Sequence, residues 1–114
     1  MPHFIIECNK ELSNKINLKL ITQTVFDAAL NSELFAKSNI KSRLRIFDES
    51  IVAGKELDFI HVWGYIREGR SDEQKRMLSE EIVNQIKKVS KDVFVVSSNI
   101  QELDKASYFK IQLA

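Results

Sequence analysis

The chain has 114 residues, one domain's worth, and its 44% hydrophobic and 29% charged content excludes both intrinsic disorder and a second independent domain. A formal net charge of +1 lacks the basic excess of a nucleic-acid binder, and a lone cysteine, Cys8, excludes an intrachain disulfide scaffold. With neither a leader-like start nor a run approaching about 18 apolar residues, the sequence predicts a soluble, cytoplasmic protein with no membrane and no nucleic-acid partner.

Phe4 to Cys8 is short and rich in Phe and Ile, ends at the polar Asn9-Lys10-Glu11, and reads as a buried strand closed by a turn. From about Ser13 to Leu30, Leu18, Ile21, Val25 and Ala28 recur at three- and four-residue steps, which places them on one helical face. Residues 31 to 39 have no period and read as a loop whose Leu34 and Phe35 dip inward. A second strand runs from Ile40 to Phe47, with Ile40, Leu44 and Ile46 on one parity and the cations Lys41, Arg43 and Arg45 on the other. After a turn at Gly54, the β-branched and aromatic run Leu57 to Ile66 predicts a long central strand. Ser71 with Gln74 three residues on is a capping box, reinforced by Asp72 and Glu73 in the first turn, and it opens a second helix to about Val89. The buried face of that helix is expected to be Leu78, Ile82, Ile86 and Val89. Val93 to Ser97 reads as strand four, and Tyr108 to Leu113 as a short closing strand.

The order is βαβ followed by βαβ, in halves of about 1–50 and 51–114 within a single 1–114 domain. This predicts an α+β fold, a four-stranded sheet with both helices on one face. Strands one, three and four read as apolar on both parities, so the second sheet face also needs cover, and in so short a chain another subunit is the expected cover.

Metal and nucleotide chemistry find no support in the residues. His3 and His61 are the only histidines, form no zinc spacing with Cys8, and read as core or interface residues. No phosphate-cradling glycine loop is present. Two other positions stand out. Pro2 directly follows the initiator methionine, and a small second residue favours removal of that methionine, which would expose a secondary amine. Such an amine acts as a base when apolar surroundings and nearby cations draw its pKa towards neutrality, and Phe4, Ile5 and the cationic face of strand two could supply both; the plainer reading is that Pro2 merely starts a strand. Arg70 stands immediately before the Ser71 cap, where a cation opposes the helix dipole unless an anion binds between them. A guanidinium beside free backbone donors suits a carboxylate; the plainer reading is a solvated arginine offset by Asp72 and Glu73.

The run Glu68-Gly69-Arg70-Ser71-Asp72-Glu73-Gln74-Lys75, after a strand and opening a helix, resembles the corresponding stretch of 4-oxalocrotonate tautomerase. The opening Pro2-His3-Phe4-Ile5-Ile6-Glu7-Cys8 and the segment Ile40-Lys41-Ser42-Arg43 resemble 5-carboxymethyl-2-hydroxymuconate delta-isomerase, a longer member of the same tautomerase superfamily. The resemblance spans the whole chain. It implies a homotrimer of two fused βαβ units per subunit and a proton transfer that needs no cofactor. Carried over, Pro2 is the general base and Arg70 a ligand of a small-molecule carboxylate substrate. Where the isomerase has an arginine after the isoleucine of strand two, this chain has Lys41, which keeps the charge without the two-pronged fork, and Arg43 on the same strand face could share the role. The expected activity is isomerisation of a small unsaturated oxo-di- or tricarboxylate such as 5-carboxymethyl-2-hydroxymuconate. The alternatives are keto-enol tautomerisation of aromatic pyruvates and a non-enzymatic trimeric ligand-binding protein.

Overall fold

The computed structural model describes every residue from Met1 to Ala114. Its elements are β1 (His3–Asn9), α1 (Leu18–Asn31), β2 (Lys41–Phe47), β3 (Phe59–Arg67), α2 (Asp72–Val89) and β4 (Val95–Leu103). The strands form one sheet in the order β2-β1-β3-β4; β1 is parallel to β2 and antiparallel to β3, and β3 is parallel to β4. The two βαβ halves therefore join through β1 and β3, the α+β arrangement expected.

One face of the sheet holds the fold together. Phe4, Ile6 and Cys8 of β1 and Ile60, Val62 and Ile66 of β3 are fully buried beneath Ile21, Val25, Ala28 and Ala29 of α1 and Leu78, Ile82 and Ile86 of α2. Each large side chain so buried contributes roughly 1.5 to 3 kcal/mol, whereas an exposed ion pair such as Arg76–Glu80 contributes about 1 kcal/mol or less, so packing dominates. Gly64 lies in register with Phe4 on this face. A Cβ there would stand 2.7 Å from Ile100 Cδ1 and 2.9 Å from Phe4 Cε1, so the missing side chain is the room the Phe4 ring occupies.

Several boundaries differ from the sequence reading, each for a local reason. Helix α1 begins at Leu18, not near Ser13, because the Asn17 side chain accepts a hydrogen bond from Lys19 N at 3.0 Å and caps it there; Ser13 belongs to a separate 3₁₀ turn, Lys10–Asn14. The Ser71 capping box forms as expected, with Gln74 N donating to Ser71 Oγ at 3.1 Å and Ser71 N donating to Gln74 Oε1 at 2.9 Å. Val89, expected on the buried face of that helix, is its last residue and is exposed. Ile46 is likewise exposed, since β2 is an edge strand.

Strand β4 runs on to Leu103, and no strand follows it. Residues Tyr108 to Leu113 do alternate, but an alternating segment becomes a strand only beside a free edge to pair with. Here the polar parity ties the tail to its own chain, through Lys110 Nζ donating to Asn39 Oδ1 and Gln112 Nε2 to Ser38 O. The apolar parity, Phe109, Ile111 and Leu113, is 84 to 93% exposed.

The sheet face away from the helices is also less apolar than expected. Ile5, Phe59, Trp63 and Tyr65 share it with His3, Glu7, His61, Ser97, Asn99 and Gln101, and most of these are only partly covered. No helix of the chain is long and apolar enough to cross a membrane.

Candidate active site

Topology gathers one end of the sheet into a site. Because β1 and β2 are parallel, their starts lie side by side, and Lys41 N extends the ladder by donating to the Pro2 carbonyl at 3.2 Å. Strand β3 runs the other way, so it ends where β1 begins, with Tyr65 opposite His3, and β4 ends beside it with Leu103 opposite Arg67. The amino terminus, Lys41, the turn from Arg67 to Arg70 and the tail after Leu103 all meet there.

Between them lies a cleft of about 180 Å³, lined among others by Met1, Leu34, Phe35, Arg67, Arg70 and Lys110, with no acidic residue in its wall. Arg67, Arg70 and Lys110 make no ion pair with any carboxylate of the chain. The positive φ of Gly69, 114°, belongs to the backbone region that glycine tolerates, and it turns the chain from β3 into α2 so that Arg70 looks back across the cleft. There Arg70 Nη2 donates to the Leu34 carbonyl at 2.5 Å, and the guanidinium carbon stands 5.2 Å above the Phe35 ring. Phe35 in turn meets Phe4 edge to face at 6.2 Å, which seats the arginine on the core. The inward dip of Leu34 and Phe35 is as expected. At the start of α2 the capping box takes up Ser71 N and Gln74 N, while the Arg70 guanidinium turns to the Leu34 carbonyl across the cleft.

Pro2 is buried directly behind Met1. The Met1 amine donates to the Tyr108 hydroxyl at 3.3 Å. Burial, and then the charges of Lys41, Lys110 and Arg67, lower its pKa from 8.0 to about 6, since each makes the ammonium form harder to hold. Lys41 Nζ donates to the Asn39 carbonyl at 2.9 Å. Arg43 stands apart from the cleft. Its exposed guanidinium meets His3 Nδ1 at 3.2 Å, over a shallow hollow shared with Tyr65, Leu103 and Tyr108. Thus Pro2, Lys41 and Arg70 come to one end of the sheet, and Arg43 faces a neighbouring surface.

Three polar residues of this end escape a reading by motif. Arg67 continues the odd-numbered face of the third strand two residues past Tyr65, a signal the alternation contained. Tyr108 and Lys110 are hidden because their segment reads as a strand, while the fold uses it as a strap across the amino terminus. His3 belongs to this end too, with Nε2 3.0 Å from the Tyr108 oxygen. His61 instead bonds Ser97 Oγ through Nδ1 at 2.6 Å on the open sheet face. Cys8 is an inert thiol, its pKa raised to about 11 by burial. No group of three or more His, Cys, Asp or Glu side chains is placed to hold a metal ion.

The sequence profile of the 5-carboxymethyl-2-hydroxymuconate isomerase family matches residues 2–112. No curated protein matches the chain in sequence. Among solved structures, a 5-carboxymethyl-2-hydroxymuconate isomerase from Deinococcus radiodurans R1 is similar at a TM-score of 0.84 and 20% identity, over 98% of this chain and 90% of that one. A 5-carboxymethyl-2-hydroxymuconate delta-isomerase gives 0.85 at 16% identity, over 98% and 89%. A fused 4-OT protein described as a symmetric trimer gives 0.71 at 16%, over 91% and 87%. Identities this low speak for the fold alone; the profile match runs through both βαβ halves, from Pro2 to the tail that carries Tyr108 and Lys110. The chain belongs to the 5-carboxymethyl-2-hydroxymuconate isomerase family and has the tautomerase fold.

Proposed function

We propose that this chain is an isomerase that needs no cofactor and moves a proton and a double bond in a small unsaturated oxo-di- or tricarboxylate, with the amine of Pro2 as general base. The observation that carries this reading is the cleft lined by Met1, the residue joined to Pro2, and ringed by Arg67, Arg70 and Lys110 with no carboxylate of the chain to pair them. Unpaired cations held on an apolar floor favour an anionic ligand, and several of them favour a ligand with several carboxylates. Arg70, already oriented by Leu34 and Phe35, is the carboxylate ligand; Lys41 adds charge beside the amine.

An ultraviolet assay with 2-hydroxymuconate-type dienols, run on protein lacking Met1, tests the reading directly, because movement of the double bond changes the absorbance. Saturable turnover of a dienol dicarboxylate is expected, with an arylpyruvate the poorer substrate since its one carboxylate leaves cations unpaired. Turnover of the arylpyruvate alone would overturn the choice of substrate class, and turnover of neither would overturn the enzyme.

The protomer is also read as one domain of two βαβ halves that assembles as a homotrimer in the cytoplasm. Ile5, Phe59, Trp63 and Tyr65 on the open sheet face and Phe109, Ile111 and Leu113 on the tail all gain cover from neighbouring subunits. Light scattering at micromolar concentration should return three times the mass of the chain; a monomer would overturn the assembly.

A further inference from the structure

Met1 is joined to the Pro2 nitrogen, and its own nitrogen lies 3.3 Å from the Tyr108 hydroxyl. A molecule that exchanges a proton with the Pro2 amine must bring its reacting atom against that nitrogen, and so into the space Met1 fills. A substrate oxygen next to the reacting atom then stands near the Met1 nitrogen's position, one hydrogen bond from Tyr108.

The hydroxyl is oriented from behind. Arginine only donates, so the contact between Arg43 Nη1 and His3 Nδ1 makes Nδ1 the acceptor. Burial, with the charges of Lys41 and Arg43, lowers the His3 pKa, so the ring is neutral near pH 7 and its single proton sits on Nε2. Nε2 therefore donates to the Tyr108 oxygen at 3.0 Å. A hydroxyl has one proton to give and two sites that accept; His3 occupies one accepting site, and no group of the chain accepts the Tyr108 proton.

We propose that the Tyr108 hydroxyl donates a hydrogen bond to the substrate oxygen that carries the developing dienolate charge, and that Arg43 and His3 are the positioning residues that hold it for this. The proposal rests on the reading of Pro2 as the base. In the step, the amine takes a proton, breaking an O–H or C–H bond and forming N–H. The electron pair left behind spreads over the conjugated oxo system and places charge on the oxygen. Tyr108 hydrogen-bonds to that oxygen and keeps its own proton, so the N–H proton returns to another carbon of the conjugated system and the amine is restored. Arg43 thereby has a task other than the share in carboxylate binding expected from its place on the strand face beside Lys41.

Steady-state kinetics of protein lacking Met1 test the proposal. Tyr108→Phe should lower kcat on a dienol dicarboxylate by about tenfold and leave KM within about threefold, because the bond it removes strengthens only as charge develops. His3→Leu should reproduce the loss, and His3→Gln, which keeps a donor near the position of Nε2, should recover most of it. A kcat unchanged in Tyr108→Phe, or a loss confined to KM, would overturn the proposal while leaving the amine as base. A wild-type protein inactive without Met1 would overturn both readings together.

Discussion

Protein that keeps Met1 is expected to turn over a dienol on the order of a hundred- to ten-thousandfold more slowly than protein from which it has been removed, the range a positioned general base contributes. With Met1 attached, the Pro2 nitrogen is a tertiary amide with negligible basicity, and the methionine stands in the wall of the cleft between Pro2 and any ligand. With Met1 gone, the nitrogen becomes a secondary amine next to Lys41, Lys110 and Arg67, the cations that together with burial already bring the Met1 amine to about 6. The sign of the pH dependence follows. Cations and burial disfavour the ammonium form and so lower the pKa of the new amine; a base works only when unprotonated, so the rate rises with pH through that lowered value. The inflection should fall well below the range of an ordinary secondary amine. Intact mass reports which form is present, and acetylation of the processed amine should abolish turnover. Equal rates from the two forms would exclude Pro2 as the base and leave the fold untouched.

Arg70→Ala is expected to lower kcat/KM on a dicarboxylate by roughly ten- to a hundredfold, the equivalent of about 1.5 to 3 kcal/mol for a hydrogen bond to a charged group. The arginine is held in place without a ligand, since Leu34 O and the Phe35 ring restrict it, so a bound carboxylate would cost it little further rotamer freedom. Arg70→Lys should recover only part of the loss, because an ammonium keeps the charge but not the planar fork that reaches a carboxylate and Leu34 at once. In contrast, Lys41→Arg should improve activity on 5-carboxymethyl-2-hydroxymuconate, by restoring that fork beside the amine. An Arg70→Ala protein with unchanged kcat/KM on a good substrate would make Arg70 a surface residue, and a loss in Lys41→Arg would mean that Lys41 is fitted to a smaller substrate.

Strong local signals make much of the molecule legible in its residues. The three- and four-residue spacing in Leu18–Leu30 and Leu78–Ile86, the Ser71–Gln74 box and the β-branched run to Ile66 each follow from backbone hydrogen bonding and side-chain direction within one element. For that reason the order of the two helices and the four sheet strands and the α+β class can be read from the residues, with the resemblance pointing to the family. What depends on pairing between elements cannot. Alternation in Tyr108–Leu113 is real, yet it makes a strand only where the fold lays it along a sheet edge, and here the tail pairs with neither β2 nor β4. Arg43 and Lys41 look equivalent on one strand face, but only Lys41 lies beside the amino terminus, because the register sets His3 opposite Lys41 and Ile5 opposite Arg43. The same register, together with the antiparallel joint of β1 and β3, brings Arg67, Tyr108 and Lys110 to Pro2 from 65 to 108 residues away in sequence. Composition and periodicity carry information over a turn or a strand, enough for the two helices and the four strands of the sheet; the conformation of the tail and the company that Met1, Arg67, Arg70 and Lys110 keep around the cleft come from distant segments that the sheet brings together.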